Sequence, residues 1–367
     1  MRGQRVIARF VAVAMALGLM VSVPLASSAA PARQDEKLQI AFSVPGLQFP
    51  FFVHMMNIAE AKAAELDIEL IKLDGQDNTA TQVAGLETMI AQGVDGIVIS
   101  PREVEALAPA IQAVTDAGIP VVTVDRAVTG ATTLGHVGAD NVRGGEIQGE
   151  YLVSLLPDGG EVIELQGTVG ASPAIDRSAG FNKVVAEHPN IKIVFQQTAE
   201  FKRDVGLTVS EQALQANPDV DAIVCGNDDM CFGAAEAASG AGLEVPIIGF
   251  DALPEALQAI QEGTLAATVD QWPGRQTSGA MQIVVDFLRN GTQPAQHTTL
   301  IEPALITADN LGEAERAAEA GITPTGSPTA GTPEASTARG WRELAVDLRR
   351  LESVVADRPS RGVIGRD

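Results

Sequence analysis

Two stretches of this chain repeat each other at a fixed spacing. VDGIVIS, beginning at Val94, matches VDAIVCG, beginning at Val220; IPVVTVD, ending at Asp125, matches VPIIGFD, ending at Asp251. Both pairs are offset by 126 residues, which places Asp95 and Asp125, like Asp221 and Asp251, 30 apart, with Pro120 and Pro246 in register. Two motifs agreeing in one register indicate a duplicated architecture, and two copies rather than many indicate paired lobes, not a solenoid.

Around these motifs, from about Lys37 to Asp309, short β-branched runs alternate with longer Ala-rich stretches. The runs are Leu38–Val44, Ile68–Leu73, Gly96–Ser100, Val121–Val124, Glu161–Leu165, Ile191–Phe195, Ala222–Cys225 and Pro246–Phe250; helix-like segments include Ile58–Leu66, Thr81–Gln92 and Val104–Ala117. Near-continuously apolar strands separated by helices predict parallel sheets covered on both faces, hence two similar doubly wound α/β lobes. In such sheets ligands sit beyond the carboxyl ends of the strands. Asp125 and Asp251 each end one, so facing lobes would bury a small ligand between them.

Composition narrows the function. A length of 367 residues suits two domains, and a formal net charge of −22 repels phosphates, so nucleic acid is not an expected partner. Two cysteines rule out a disulfide scaffold and a four-cysteine zinc site. No G-x-G-x-x-G, P-loop or G-x-S-x-G elbow occurs, and His54, His136, His188 and His297 lack metal-ligand spacing. No enzyme activity, cofactor or metal is expected.

The ends differ from the middle. Residues 1–32 read as a signal peptide for export to the periplasm: Arg2, Arg5 and Arg9 precede an apolar stretch and then LASSAAPA, with cleavage after Ala29 or Ala32. The competing reading, an uncleaved anchor, has a short apolar stretch for a span. No cysteine lies there to take a lipid, and loss of the three arginines takes the net charge from −22 to −25. Residues 321–338 are Pro, Thr, Ser and Gly rich, a flexible linker. In 339–367, Trp341, Leu344, Leu348, Leu351 and Val355 recur at helical spacing, too briefly for a stable isolated helix.

Strand ends also collect aromatic and polar groups. Phe49, Phe51, Phe52, Phe201 and Phe250 fall at or just past them, Asp125-Arg126 and Phe250-Asp251 finish the paired strands, and Arg177, Asn227 and Gln271 lie in other connections. Neutral polyols need this mixture: flat aromatic faces cover C–H surfaces while Asp, Asn, Gln and Arg fix hydroxyls directionally.

With PFFVHM, VVTVDR, GADNVRGGEIQGEYL, VIELQG, DRSAGF, AEFKRD, GNDDM, GFDALPEAL and ATVDQWP, the chain resembles the type I periplasmic solute-binding proteins, in particular their ribose-binding branch, from about Lys37 to Asp309. The resemblance implies a Venus flytrap: two lobes joined by three crossings, near Ala139–Asp140, Gln271–Trp272 and Leu300–Ile301, closing as a monomer on one monosaccharide for an ABC permease. It implies an N-terminal lobe of 37–139 plus 272–300 and a C-terminal lobe of 140–271 plus 301–310. Phe51 and Phe52 would stack on one sugar face and Phe201 on the other, with Phe250 walling the C-lobe side. Asp125 with Arg126, and Asp251 with Arg177, would bind hydroxyls, and Asn227 and Gln271 would complete the polar ring.

One position departs from the pattern: ribose binders carry an amide where this chain has Phe49, which puts ribose itself in question but not a pentose or related aldose. The alternative is a furanose-like signal or polyol, with the loaded protein docking on a sensor or chemoreceptor ectodomain. Cys225 and Cys231 flank the Asn227 loop, either bridged or as two buried thiols.

Overall fold

The computed structural model describes residues 37–325; the signal segment and the 339–367 tail lie outside the described residues, as does all but the start of the linker.

The first sheet is built from β1 (Gln39–Val44), β2 (Glu69–Asp74), β3 (Gly96–Ile99), β4 (Val121–Val124), β5 (Gly135–Ala139) and β11 (Thr298–Ile301), in the order β11-β5-β4-β3-β1-β2, all parallel. The second takes β6 (Gly160–Gln166), β7 (Ile191–Thr198), β8 (Ala222–Cys225) and β9 (Ile247–Ile248), in the order β7-β6-β8-β9, also parallel. A bridge from Ile248 to Ala267 leads on to β10 (Thr268–Asp270), which pairs antiparallel with β12 (Ala304–Ile306). Within each lobe the strands run second, first, third, fourth, and the 126-residue offset maps β3 onto β8 and β4 onto β9. Central strands β3, β4 and β8 are buried along their whole length, whereas the edge strands β2, β7 and β11 alternate with solvent.

Nine helices cover these sheets among the described residues: α1 (Pro50–Glu65), α2 (Thr79–Gln92), α3 (Ala108–Asp116), α4 (Asn141–Leu155), α5 (Ser172–Ala186), α6 (Arg203–Ala216), α7 (Asp228–Gly240), α8 (Pro254–Glu262) and α9 (Pro273–Asn290). Local chemistry marks their ends. The Asn78 side chain accepts from Thr81 N to cap α2, Gly93 closes that helix at φ 69°, and Asp140 and Asn227 cap α4 and α7 in the same way.

Several sequence expectations shift. Helix α1 begins at Pro50, eight residues before the expected start, because proline suits the first helical turn. Phe51 and Phe52 therefore ride on a helix and not on a loop. The run Pro246–Phe250 yields only a two-residue strand, and β5, β10, β11 and β12, short or Gly-containing, carry no clear apolar run. The chain crosses between lobes after β5, after β10 and between β11 and β12. The third passage falls at Glu302–Pro303, because β11 keeps pairing with β5 through Ile301. Core packing also continues past residue 310, with Leu311, Ala314, Ala317 and Ala320 buried in the main cluster. Cys225 and Cys231 are two buried free thiols. No helix among the described residues is long and apolar enough to cross a membrane.

The lobes are closed on each other. Val104 N donates to Gly170 O at 2.8 Å, Ala127 N to Ser172 Oγ at 2.9 Å, and Lys202 Nζ lies 2.7 Å from Asp77 Oδ2.

Candidate functional site

The strand-end geometry of parallel sheets brings distant residues to one place. Phe49, Phe51, Phe52, Asp125, Arg126, Pro173, Arg177, Phe201, Asn227, Asp229, Asp251 and Gln271 line a single cavity between the lobes. Ten of the eleven residues singled out in the sequence are in this lining. Phe250 is not: it is fully buried, and its ring lies behind the Arg177 guanidinium at 3.6 Å, supporting the arginine and not walling the cavity. Pro173 and Asp229 were missed; Asp229 stood in GNDDM, where only the asparagine was singled out.

Each lobe contributes one carboxylate and one guanidinium. From the N-terminal lobe, Asp125 Oδ2 accepts from Ser100 Oγ at 3.0 Å, and its other oxygen has no protein donor among the described residues. Arg126 Nε is 3.8 Å from Asp125, too far for a hydrogen bond, and has no protein partner; its Nη1 donates to Arg102 O at 2.9 Å. From the C-terminal lobe, Arg177 Nη1 lies 3.3 Å from Asp251 Oδ1, which also accepts from Gln271 Nε2 at 2.6 Å. Asn227 spends its oxygen on Met230 N and one amide hydrogen on Phe201 O.

The aromatic rings form the remaining wall. Phe49 and Phe51 meet Phe52 edge to face at 6.1 and 5.3 Å, and Arg126 lies between Phe52 at 5.2 Å and Phe201 at 5.6 Å. Phe49 is part of this wall and is buried. Asp125, Phe201, Asp251 and Trp272 all have left-handed φ, at 60°, 59°, 107° and 60°. Such conformations cost of order 1–3 kcal/mol for non-glycine residues and gather where a rigid frame holds functional side chains.

Burial dominates the electrostatics. It raises the Asp125 carboxyl despite Arg126 and Arg177, raises Asp251 to about 7 and Asp229 to about 6, and lowers Arg126 to about 10. Four buried charged groups whose hydrogen-bonding capacity the protein leaves partly unused are costly to the fold and ready for a polar ligand.

A larger cavity, about 240 Å3, lies beside this one and shares Asp125, but no phenylalanine and no arginine lines it. The donors, acceptors and apolar faces that a polyol needs are in the first. No group of three or more His, Cys, Asp or Glu among the described residues is arranged to hold a metal ion.

Two hinged α/β lobes closing on a cavity with a carboxylate–guanidinium pair from each side define a small-molecule binding protein of the flytrap type. The model of the periplasmic binding protein domain matches residues 40–293. The chain belongs to that family, whose members are binders and not catalysts, and has the type I fold of its sugar-binding members. It is 34% identical to the ribose import binding protein of Salmonella typhimurium strain LT2, over 77% of this chain and 95% of the relative. With the corresponding protein of Escherichia coli K12 it shares 37% identity, over 70% of this chain and 87% of the relative. Among solved structures, the Caulobacter myo-inositol binding protein bound to myo-inositol is 39% identical, with a TM-score of 0.74 over 77% of this chain and 97% of that one.

Proposed function

We propose that this protein is exported by its N-terminal segment and captures a neutral single-ring polyol between its lobes, either a ribose-like pentose or related aldose or a ring polyol such as inositol. It then presents the closed, loaded form to an ABC permease. The observation that carries this reading is the paired supply of one buried carboxylate and one buried guanidinium from each lobe, around a cavity walled by phenylalanine. A ring ligand accepts from both arginines and donates to both aspartates, and these contacts exist together only when the lobes are closed. Its binding therefore shifts the population toward closure.

The inositol reading has its own support. Phe49 places a ring, not an amide, in the wall just before α1, and a hydroxyl facing it would go unpaired at a cost of about 1–3 kcal/mol, which counts against any pentose or cyclitol that presents one there. What favours inositol is the 39% identity to a myo-inositol binder. The deciding experiment is thermal unfolding of residues 33–367 against pentoses, hexoses and cyclitols. A ligand at 100 times its Kd adds about 2.7 kcal/mol to the folded state, so one or a few compounds should raise Tm clearly. No shift across the panel would refute the polyol reading and favour another ligand class.

Phe49→Asn tests the wall directly. An amide there should strengthen D-ribose binding by about 1 kcal/mol, roughly fivefold, and weaken any ligand that presents C–H there. Unchanged affinities for every ligand would show that Phe49 does not touch the bound ring.

The buried carboxylates also predict a pH dependence. Asp251 and Asp270 are raised to about 7 and Asp229 to about 6, burial being the largest cause in each. Between the unfolded value near 4 and these folded values, the native state holds protons that the unfolded chain has released. Lowering the pH through 7 therefore stabilises the fold. His136, lowered to about 4 mainly by burial, opposes this below about 6.5, because the unfolded imidazole takes up a proton that the folded one refuses. Three carboxylates against one imidazole predict a higher ligand-free Tm at pH 6 than at pH 8. Sugar affinity should move the other way, since ionised Asp251 is the better acceptor. Calorimetry at the two pH values reads both, and a ligand-free Tm that falls on acidification to pH 6 would contradict the burial argument.

A further inference from the structure

The ion pair at the C-lobe end of the cavity is gripped by side chains from the hinge. Arg177 Nε donates to Asn141 Oδ1 at 2.8 Å, and Asn141 Nδ2 donates to Ala139 O at 3.3 Å. Ala139 is the last residue of β5 and Asn141 the first of α4, so this buried amide sits on the first crossing. At the second crossing Gln271 donates to Asp251 while its own carbonyl accepts from Gln276 Nε2 at 2.6 Å. The Arg177–Asp251 pair is thereby held between two hinge segments.

The two amides do different work. Phe250, stacked 3.6 Å from the Arg177 guanidinium carbon, fixes the plane of the group but not its rotation within that plane. Nη1 is committed to Gly226 O at 2.6 Å and to Asp251. With Nη1 so held, the Nε bond to Asn141 is the second point that fixes the rotation, and with it where Nη2 points. The two helices that carry these groups pack backbone against backbone: a Cβ at Gly145 would stand 2.0 Å from Arg177 O and one at Gly180 would stand 2.0 Å from Val142 O.

We propose that Asn141 is a positioning residue for ligand capture: it aims the free edge of Arg177 at the bound ring and ties that aim to the first hinge crossing. Because its second bond goes to Ala139, the last residue of the N-lobe sheet before the crossing, rotation at the hinge changes the orientation of the arginine. The guanidinium is set for the ring in the closed state. This inference rests on the reading of the cavity as a polyol site.

The test compares Asn141→Ala, which loses both bonds, with Asn141→Asp, which keeps an acceptor for Nε and loses only the donor to Ala139 O, so it isolates the aim of the arginine from the tie to the hinge. Calorimetric titration with myo-inositol and with D-ribose should show Asn141→Ala weakened by about 10–100-fold and Asn141→Asp restored to within several-fold of the unaltered protein. In ligand-free protein, exchange of the Arg177 Nε–H, followed by NMR, should be slow in the unaltered protein and in Asn141→Asp, and fast in Asn141→Ala. A merely structural role would lower Tm in both variants without this split. Unchanged affinity in Asn141→Ala, or an Asn141→Asp variant no better than it, overturns the proposal. If the unaltered protein binds neither probe, the ligand is neither of these two, and exchange still decides the positioning: loss of protection in Asn141→Ala supports it and unchanged protection overturns it.

Discussion

Asp125→Ala lowers ligand affinity by at least 1000-fold, about 4 kcal/mol, while the protein stays folded. Truncating a buried polar group that pairs with a ligand typically costs about 2–5 kcal/mol of binding, much of it because the group left behind in the complex is buried and unpaired. Here those groups are the ligand hydroxyls that would have donated to the carboxylate, with the Arg126 charge, which burial already disfavours, 3.8 Å away. The ligand-free fold loses much less. Burial, the largest influence on Asp125, works against its ionised form, so removing the carboxylate relieves a cost that the empty closed cavity bears. Asp125→Asn is the cleaner companion, since asparagine tolerates φ 60° better than alanine and keeps the side-chain shape. Isothermal titration with the ligand found in the Tm panel, beside a ligand-free melt, reads both quantities. Affinity within tenfold of the unaltered protein would remove Asp125 from the contacts.

The second large effect falls on stability. Gly145→Ala should lower Tm by about 3–5 °C and abolish binding with it. Alanine in a helix interior is ordinarily worth about 1 kcal/mol over glycine. At this position its Cβ would meet Arg177 O at 2.0 Å, Arg177 C at 2.8 Å and Phe181 N at 2.9 Å, all backbone atoms that cannot rotate aside. The helices must separate, and the cost of forced packing, typically 1–3 kcal/mol and here at its upper end or beyond, exceeds the propensity gain. Since α5 carries Arg177, the same displacement moves the guanidinium. A differential scan that finds Gly145→Ala as stable as the parent would mean the helices lie farther apart than described.

Both effects come from one construction principle. Strand ends of two parallel sheets bring the carboxylates and rings together, and two helices packed closely through Gly145 and Gly180 fix how the C-lobe arginine approaches them. Opening the lobes would part the Lys202–Asp77 and Val104–Gly170 contacts along with the site. These cross-lobe contacts are few. Lys202 and Asp77 are partly exposed, and such pairs are worth about 1 kcal/mol or less, so ligand contacts weigh heavily in the balance between open and closed.

Much of this organisation was legible in the residues alone. Strand-forming runs, the 126-residue repeat and the Asp-terminated strands are local patterns, and a parallel α/β lobe places its ligand residues at strand ends whatever the details. That suffices to read two lobes, a cleft and Asp125-Arg126 and Asp251 as candidates at strand ends; the pairing of Asp251 with Arg177 came from the family resemblance. Other features had no local signature. Ser100 is 25 residues from the Asp125 it supports, Asn141 is 36 from Arg177, and Phe250 is 73 from the guanidinium it stacks behind. Such contacts are set by how helices and sheets pack, not by periodicity. The helical placement of Phe51 and Phe52, the third crossing at Glu302–Pro303 and the buried alanines beyond residue 310 belong with them. The sequence by itself determined the architecture, because hydrophobic period and strand–helix order act over a few residues at a time. Which oxygens and nitrogens are left to meet a ligand was decided by the tertiary structure, because satisfying or orphaning a buried polar atom depends on partners brought from far along the chain.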